Sequence, residues 1–235
     1  MANTQPQKRA LWRCLVAGFL LIVLAFGVAV YRNATSTEAF ENLLLQNIDH
    51  AGLGTDEPSL RGFARETIQY LTGERMLWNP QISIDGFPAG SFIPQSFHDH
   101  MKDVRDGFGL AKTVFRAALA GVVLLLGSIA LGGKKSAKKR FSPAGYYGGA
   151  GAALLLLGGI ALWGYLNFDS LWTVLHETLI PDGIFSAAEP VMKLFPLEVF
   201  AGYLPPVMLT FSLLTLGLLV LPLIFSLAAK RLPGA

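Results

Sequence analysis

Two histidines in separate parts of the chain, each near a carboxylate, are the residues best suited to chemistry. His100 and Asp103 stand three residues apart, so a helix would place them side by side, and Asp103 would hold the imidazole in one tautomer. His176 follows Asp169 by seven residues, on the same face of a second predicted helix. Imidazoles exchange protons near neutral pH and stabilise an oxyanion by donating a hydrogen bond. These positions predict general acid–base catalysis, with a polar surface role as the alternative.

Metal chemistry is less well supported by the same histidines. His98 and His100 are two residues apart, a spacing that suits a strand better than the predicted helix. The pair His176-Glu177 begins like the zinc-protease helix motif, but Ile180 occupies the position of the second histidine. We therefore expect no metal ion and no other cofactor.

A protein nucleophile is also hard to find. The chain has no Gly-x-Ser-x-Gly motif, and Gly127-Ser128 lies inside a predicted membrane span. The single cysteine, Cys14, lies in another predicted span and excludes an internal disulfide. If the histidines are catalytic, the nucleophile is therefore expected to belong to the substrate.

The elements that position these histidines are predicted to include membrane-spanning helices. Of the 235 residues, 52% are hydrophobic and only 15% are charged, against roughly 25% charged residues in soluble domains. Four apolar stretches match the roughly 20-residue helix that crosses a bilayer. They are 11–31, 113–131, 146–166 and 205–228. The predicted fold class is an all-α integral membrane protein with four transmembrane helices and an outer-face helical domain between the first two.

Charged residues indicate the orientation of these spans. Ten lysines and arginines, and no acidic residue, lie at the amino end around the tail 1–10, in the basic loop 132–145 and in the tail 229–235. All 16 acidic residues lie in the segments 32–112 and 167–204. Because cytoplasmic loops are enriched in cations, we expect both termini to be cytoplasmic and both acidic segments to face outward. The net charge of +3 therefore gives no reason to expect a nucleic-acid partner.

Local patterns predict the elements of the longer outer segment. Apolar residues at helical spacing predict helices around 40–47 and around 60–71, the second ending at Gly73. Turn residues between Trp78 and Pro94 predict a hairpin or an irregular lid.

The two histidine-bearing helices have predicted starts. Ser96 and Asp99 have the spacing of a capping box ahead of His100. Asp169 or Ser170 is expected to cap the helix that carries His176, and a turn at 181–183 to end it. In the third span, small residues four apart predict close packing between helices of one bundle, with a dimer interface as the alternative. They are Gly148, Gly149, Ala152 and Ala153.

Two motifs in this order resemble a known family. The first is His100-Met101-Lys102-Asp103-Val104-Arg105. The second comprises Phe168-Asp169, His176-Glu177, Pro181-Asp182, Pro196 and Phe200. With four spans and an outer domain after the first, the chain resembles the bacterial integral membrane family that includes the lipoprotein intramolecular transacylases. It departs from that pattern at Phe185, where a tryptophan is usual, and in the shortened acidic stretch 186–189.

The resemblance implies a specific reaction in a bacterial cell membrane. Such enzymes move the acyl chain from the second glycerol carbon (sn-2) of a diacylglyceryl-modified lipoprotein cysteine to the α-amine of that cysteine, giving a lyso-form lipoprotein. Its partners would be diacylglyceryl-modified lipoproteins and membrane lipid. The two essential histidines of the family correspond to His100 and His176, and we assign His100 as the base and His176 as the oxyanion stabiliser and acid, in roles that could be exchanged. Residues expected to support the site or bind substrate are Asp169, Trp172, Glu177 and Asp182.

Two other classes of function remain open. A histidine-dependent phospholipase, or an acyltransferase acting on free lipid, would present a similar sequence and would pass the acyl chain to water or to another lipid. A non-enzymatic envelope protein would use the outer segments to bind a partner, and its histidines would tolerate alanine.

Overall fold

Helices account for nearly all regular structure in residues 5–130, 141–180, 185–186 and 188–231, which this computed structural model describes. One two-stranded hairpin and a 3₁₀ helix over Pro190–Leu194 complete the described elements. The helices are α1 Gln5–Ala34, α2 Thr37–Asn47, α3 Glu57–Thr72, α4 Ala89–Phe92, α5 Gln95–Ala130, α6 Pro143–Leu166, α7 Phe168–Leu179, α8 Leu197–Ala201 and α9 Leu204–Arg231.

Four helices contain a stretch that is long and apolar enough to cross a membrane. The helical segments that contain these stretches are Gln7–Ala34, Gln95–Gly127, Pro143–Leu166 and Pro190–Val220. Each overlaps one of the four predicted spans, so the predicted all-α membrane fold is confirmed. The cations of the loop 132–145, on which the predicted orientation rests, lie outside the described residues. The cytoplasmic location of both termini therefore stays a prediction.

The chain divides into two compact units. The first, here called the spanning unit, comprises Met1–Ala29, Thr113–Leu162 and Met208–Ala235. The second, here called the site unit, comprises Val30–Lys112 and Trp163–Val207. The site unit contains both candidate catalytic histidines.

Close helix packing in the spanning unit depends on glycine. A side chain at Gly145 or Gly149 of α6 would collide with the backbone carbonyl of Leu11 or Leu15 of α1. Gly148 faces open space and is not part of this contact. The predicted packing between helices of one chain is therefore confirmed, and the glycines that form the contact are Gly145 and Gly149 rather than Gly148.

The core of the site unit is aromatic and is built on α2 and α3. Both helices begin at a side-chain cap, because Ser36 accepts a hydrogen bond from the amide of Ala39 and Asp56 from the amide of Ser59. Helix α3 ends at Gly73, whose φ of 87° is the left-handed conformation that glycine adopts without strain. Both predicted helices are thus confirmed. The fully buried core side chains include Leu44, Leu60, Phe63, Val191, Leu194 and Val199.

The predicted hairpin is confirmed as a two-residue turn. Strands β1 Ser83–Ile84 and β2 Phe87–Pro88 pair antiparallel. The turn residues Asp85 and Gly86 have φ of 52° and 82°, the signs that a type I′ turn requires. A function of this region as a lid stays a prediction.

Two predicted helix caps are wrong. Helix α5 begins at Gln95, so Ser96 lies inside the first turn, and the carboxylate of Asp99 accepts a hydrogen bond from the side-chain amide of Gln95 at 3.0 Å. Helix α7 is capped by Asn167, whose side-chain oxygen accepts from the amide of Ser170 at 3.0 Å, rather than by Asp169 or Ser170. Asparagine caps helices as well as aspartate and serine do, and Asn167 precedes Asp169 and Ser170, so the helix begins at the first of the three.

Candidate active site

The site unit brings His100 and His176 together from two helices. His100 lies in the second turn of α5, and His176 lies near the end of α7. Their ring centroids are 6.0 Å apart with an angle of 29° between the planes. This separation leaves both imidazoles within reach of one small reacting group.

Aromatic side chains surround the histidine pair. The ring of His100 has Phe97 at 5.7 Å and Phe185 at 5.3 Å, both edge to face. On the other side, the ring of Trp172 lies 4.4 Å from His176 and 4.4 Å from Phe200. Both imidazoles are half-buried, and the apolar walls reduce access of water to them.

The two imidazoles differ in hydrogen bonding. Nδ1 of His176 lies 3.3 Å from the backbone carbonyl oxygen of Trp172, one turn earlier in α7. Because a carbonyl oxygen only accepts, this contact requires a proton on Nδ1 and leaves Nε2 of the neutral ring as an acceptor. Nδ1 of His100 is buried and has no hydrogen-bond partner among the described residues. An unpaired buried polar atom is costly, so a hydrogen bond between this atom and a bound substrate would be favourable.

Burial favours the neutral form of both rings. Desolvation lowers the pKa of His100 below its usual 6.5, the charge of His176 adds to this effect, and the carboxylate of Asp103 opposes it. Desolvation also lowers the pKa of His176, while the hydrogen bond to the carbonyl of Trp172 opposes that shift. The pair therefore stays neutral at pH 7, the form that accepts a proton.

Asp103 lies where its charge, but not a hydrogen bond, reaches His100. The carboxylate is exposed, and no hydrogen bond joins it to His100 among the described residues. The predicted fixing of the tautomer by Asp103 is therefore wrong. The side chain is free to extend into solvent, where a carboxylate is better solvated than against a half-buried ring.

The other expected supporting residues have different positions. Trp172 is half-buried and packs between His176 and Phe200. Asp169 and Glu177 are exposed on α7, and Asp182 lies outside the described residues. Trp172 is therefore the supporting residue that contacts a candidate catalytic ring.

The remaining histidines lie elsewhere in the site unit. The ring of His98 packs edge to face on Trp78 at 5.4 Å. His50 lies in the turn after α2. No three His, Cys, Asp or Glu side chains form a potential metal site within the described ranges.

Sequence reasoning missed Phe97 as a wall of the site. It is 3% exposed, and its ring also contacts Trp78, Phe185 and Phe195. Its position three residues before His100 on one helix was the available signal. Phe185, noted only as a departure from a family pattern, is the second wall.

Comparison with known proteins gives one match. A family model described as "Lipoprotein intramolecular transacylase Lit" matches residues 13–200, most of the chain and all of the site described above. No curated protein and no solved structure matches.

Proposed function

The chain belongs to the lipoprotein intramolecular transacylase family, and from this premise we propose that it transfers the sn-2 acyl chain of a diacylglyceryl-cysteine lipoprotein to the α-amine of the same cysteine. The observation that supports the proposal is the histidine pair, with ring centroids 6.0 Å apart between aromatic walls. The product is a lipoprotein with an N-acyl group and an S-monoacylglyceryl group.

Hydrogen bonding favours one order of roles in this proposed reaction. Nε2 of His176 is the free acceptor and takes the proton that the α-amine loses as its nitrogen attacks the ester carbon. His100 donates from its unpaired Nδ1 to the developing oxyanion. In this proposal His176 is the base and His100 is the oxyanion donor, the reverse of the assignment made from the sequence.

The collapse of the tetrahedral intermediate completes the transfer. The bond from the carbonyl carbon to the sn-2 oxygen breaks, and that oxygen takes the proton held by His176, so the products are an amide and a free hydroxyl. Amine and ester belong to one modified residue, so binding supplies proximity without an acyl-enzyme. The apolar walls of Phe97, Phe185 and Trp172 disfavour water as a competing acceptor.

The proposed orientation puts this chemistry at the outer face of the bacterial cell membrane. The four candidate spans and the cations at the two termini and in the loop 132–145 support cytoplasmic termini. The histidine-bearing segments then face the side on which mature lipoproteins are exposed.

A matched pair of synthetic lipopeptides tests the proposed reaction. With an ether at sn-2 and an ester at sn-1, we expect no transfer, because the reacting carbonyl is absent. With the ether at sn-1 and the ester at sn-2, we expect conversion to an N-acyl product of unchanged mass, located by tandem mass spectrometry.

A third lipopeptide controls for the acceptor. Its α-amine is acetylated, and it should accumulate no product and release no fatty acid. Release of fatty acid from it would indicate a hydrolase instead, and transfer from the sn-2 ether would overturn the assignment of the donor ester.

The activity is expected to persist below the usual pKa of histidine. A base must be neutral, and burial keeps the folded-state pKa of both rings below 6.5. The α-amine of the substrate also titrates, with a free pKa of about 7.7–8.0, so kcat/KM is first divided by the neutral fraction of that amine. The acid limb of this corrected kcat/KM should have its midpoint below pH 6.5, with an apparent pKa that belongs to the pair. Measurement between pH 5 and 8 checks this, and a corrected acid limb centred above 6.5 would contradict it.

A further inference from the structure

A second concave site lies beside α5, and its lining includes neither His100 nor His176. It has a volume of about 230 Å³ and is here called the α3–α5 groove. Its polar and glycine lining comprises Tyr31, Thr72, Gly73, Arg105, Asp106, Gly109 and Lys112. Two cations and one carboxylate give this lining a net positive charge.

The two cations lie on one face of α5 with a glycine between them. Arg105, Gly109 and Lys112 follow at intervals of four and three residues, so they lie along one stripe of the helix. A Cβ built at Gly109 meets no atom within 4 Å. The space between the two cationic side chains is therefore open.

Arg105 is held in place by the site unit itself. Its Nη1 donates to the backbone carbonyl of Met76 at 3.2 Å, and its guanidinium lies 4.9 Å from the ring centroid of Tyr70. A guanidinium has five N–H donors, so most remain for a ligand. A fixed guanidinium with free donors is suited to phosphate oxygens.

Two exposed apolar side chains stand at, and next in sequence to, the residue that accepts the hydrogen bond from Arg105. Met76, whose carbonyl accepts from Arg105, is 77% exposed, and Leu77 is 79% exposed. Tyr31 ends the first predicted span, and Lys112 immediately precedes the second. Residues at these two positions are expected at the same membrane boundary, where lipid phosphates lie beside apolar chains.

We propose that the α3–α5 groove binds the phosphate headgroup of an anionic phospholipid, with Met76 and Leu77 contacting its acyl chains. The proposed substrate of the histidine pair carries no phosphate, so this lipid is a different ligand. The inference does not depend on the proposed reaction.

Titration of full-length protein in dodecylmaltoside micelles tests the groove. The probes are dioctanoyl-phosphatidylglycerol, dioctanoyl-phosphatidylcholine and inorganic phosphate, with calorimetry as the readout. We expect saturable binding of phosphatidylglycerol and weaker binding of the other two, because phosphatidylcholine carries a cation and phosphate lacks acyl chains. Inorganic phosphate or phosphatidylcholine binding as tightly as phosphatidylglycerol would overturn the proposal.

Variants locate the site on the chain. Lys112→Gln should weaken phosphatidylglycerol binding about two- to fivefold, as expected for one exposed ion pair. Gly109→Leu fills the open space, favours the helix and should abolish saturable binding. Gly62→Leu is the matched control, since Gly62 is a helical glycine of the site unit that also faces open space, outside the groove. Unchanged binding in both groove variants would contradict the assignment.

Discussion

His100→Ala and His176→Ala are each expected to reduce acyl transfer by about 10²- to 10⁴-fold, the range for loss of a general base or an oxyanion donor. The two rings are 6.0 Å apart and serve one proposed reaction, so the double variant should lose little more than either single variant. Initial rates on the sn-2 ester lipopeptide, compared as kcat/KM, measure this.

The other two histidines of the chain are matched controls for that experiment. His98→Ala removes a ring that packs on Trp78, and His50→Ala removes one in a turn. In the part of the chain that the structure describes, neither ring packs on His100 or His176. Both variants should keep transfer within about threefold of the unmodified protein, a change smaller than 1.4 kcal/mol in barrier. Substantial activity in His100→Ala or His176→Ala, with the protein confirmed in the membrane, would remove the catalytic assignment.

The roles of the two rings are separable by replacing each with glutamine. A glutamine amide donates a hydrogen bond but is not a base at neutral pH. Under the proposed roles, His100→Gln should retain more transfer than His100→Ala, whereas His176→Gln and His176→Ala should be equally inactive. The opposite pattern in kcat would exchange the base and the oxyanion donor.

Most of the fold could be predicted because a bilayer and helical periodicity impose strong patterns. An apolar stretch as long as 146–166 has few alternatives to a span, and the repeated apolar positions of α3 have few alternatives to a helix. The caps were harder to predict. Asn167, Asp169 and Ser170 all cap helices well, and the choice among them depends on where the preceding helix ends.

The candidate site could be predicted in part. The sequence indicated His100 and His176 because each lies near a carboxylate in a predicted outer segment. It indicated Trp172 as a neighbour of His176 but not the other side chains that contact the two rings. Asp103 was expected to bind His100, but adjacency on a helix does not exclude a rotamer that extends into solvent. The contact of Phe185 with His100 and the approach of His100 to His176 require α5 to pack against later segments, which local patterns do not specify.

Phe97 connects the aromatic core of the site unit to His100. Its ring is 3% exposed and contacts Trp78 and Phe195 in the core as well as His100. Phe97→Ala should destabilise the protein by about 3 to 5 kcal/mol, the usual range for truncating a buried phenylalanine. It should also lower kcat by about tenfold to a hundredfold, because His100 loses one of its two walls and its geometry with it. Thermal unfolding in detergent and single-turnover transfer measure the two effects.

Phe63→Ala separates these two effects of Phe97→Ala. Phe63 is fully buried and contacts Trp78 and Phe195, but its ring contacts neither histidine. We therefore expect a similar loss of stability with kcat near that of the unmodified protein, at a temperature where both variants are folded. If Phe97→Ala does not fold, Phe97→Leu keeps most of the core volume and should still show reduced kcat. Equal kcat in the Phe63 and Phe97 variants would mean that the core does not position His100, and that the edge-to-face contact between Phe97 and His100 only adds stability.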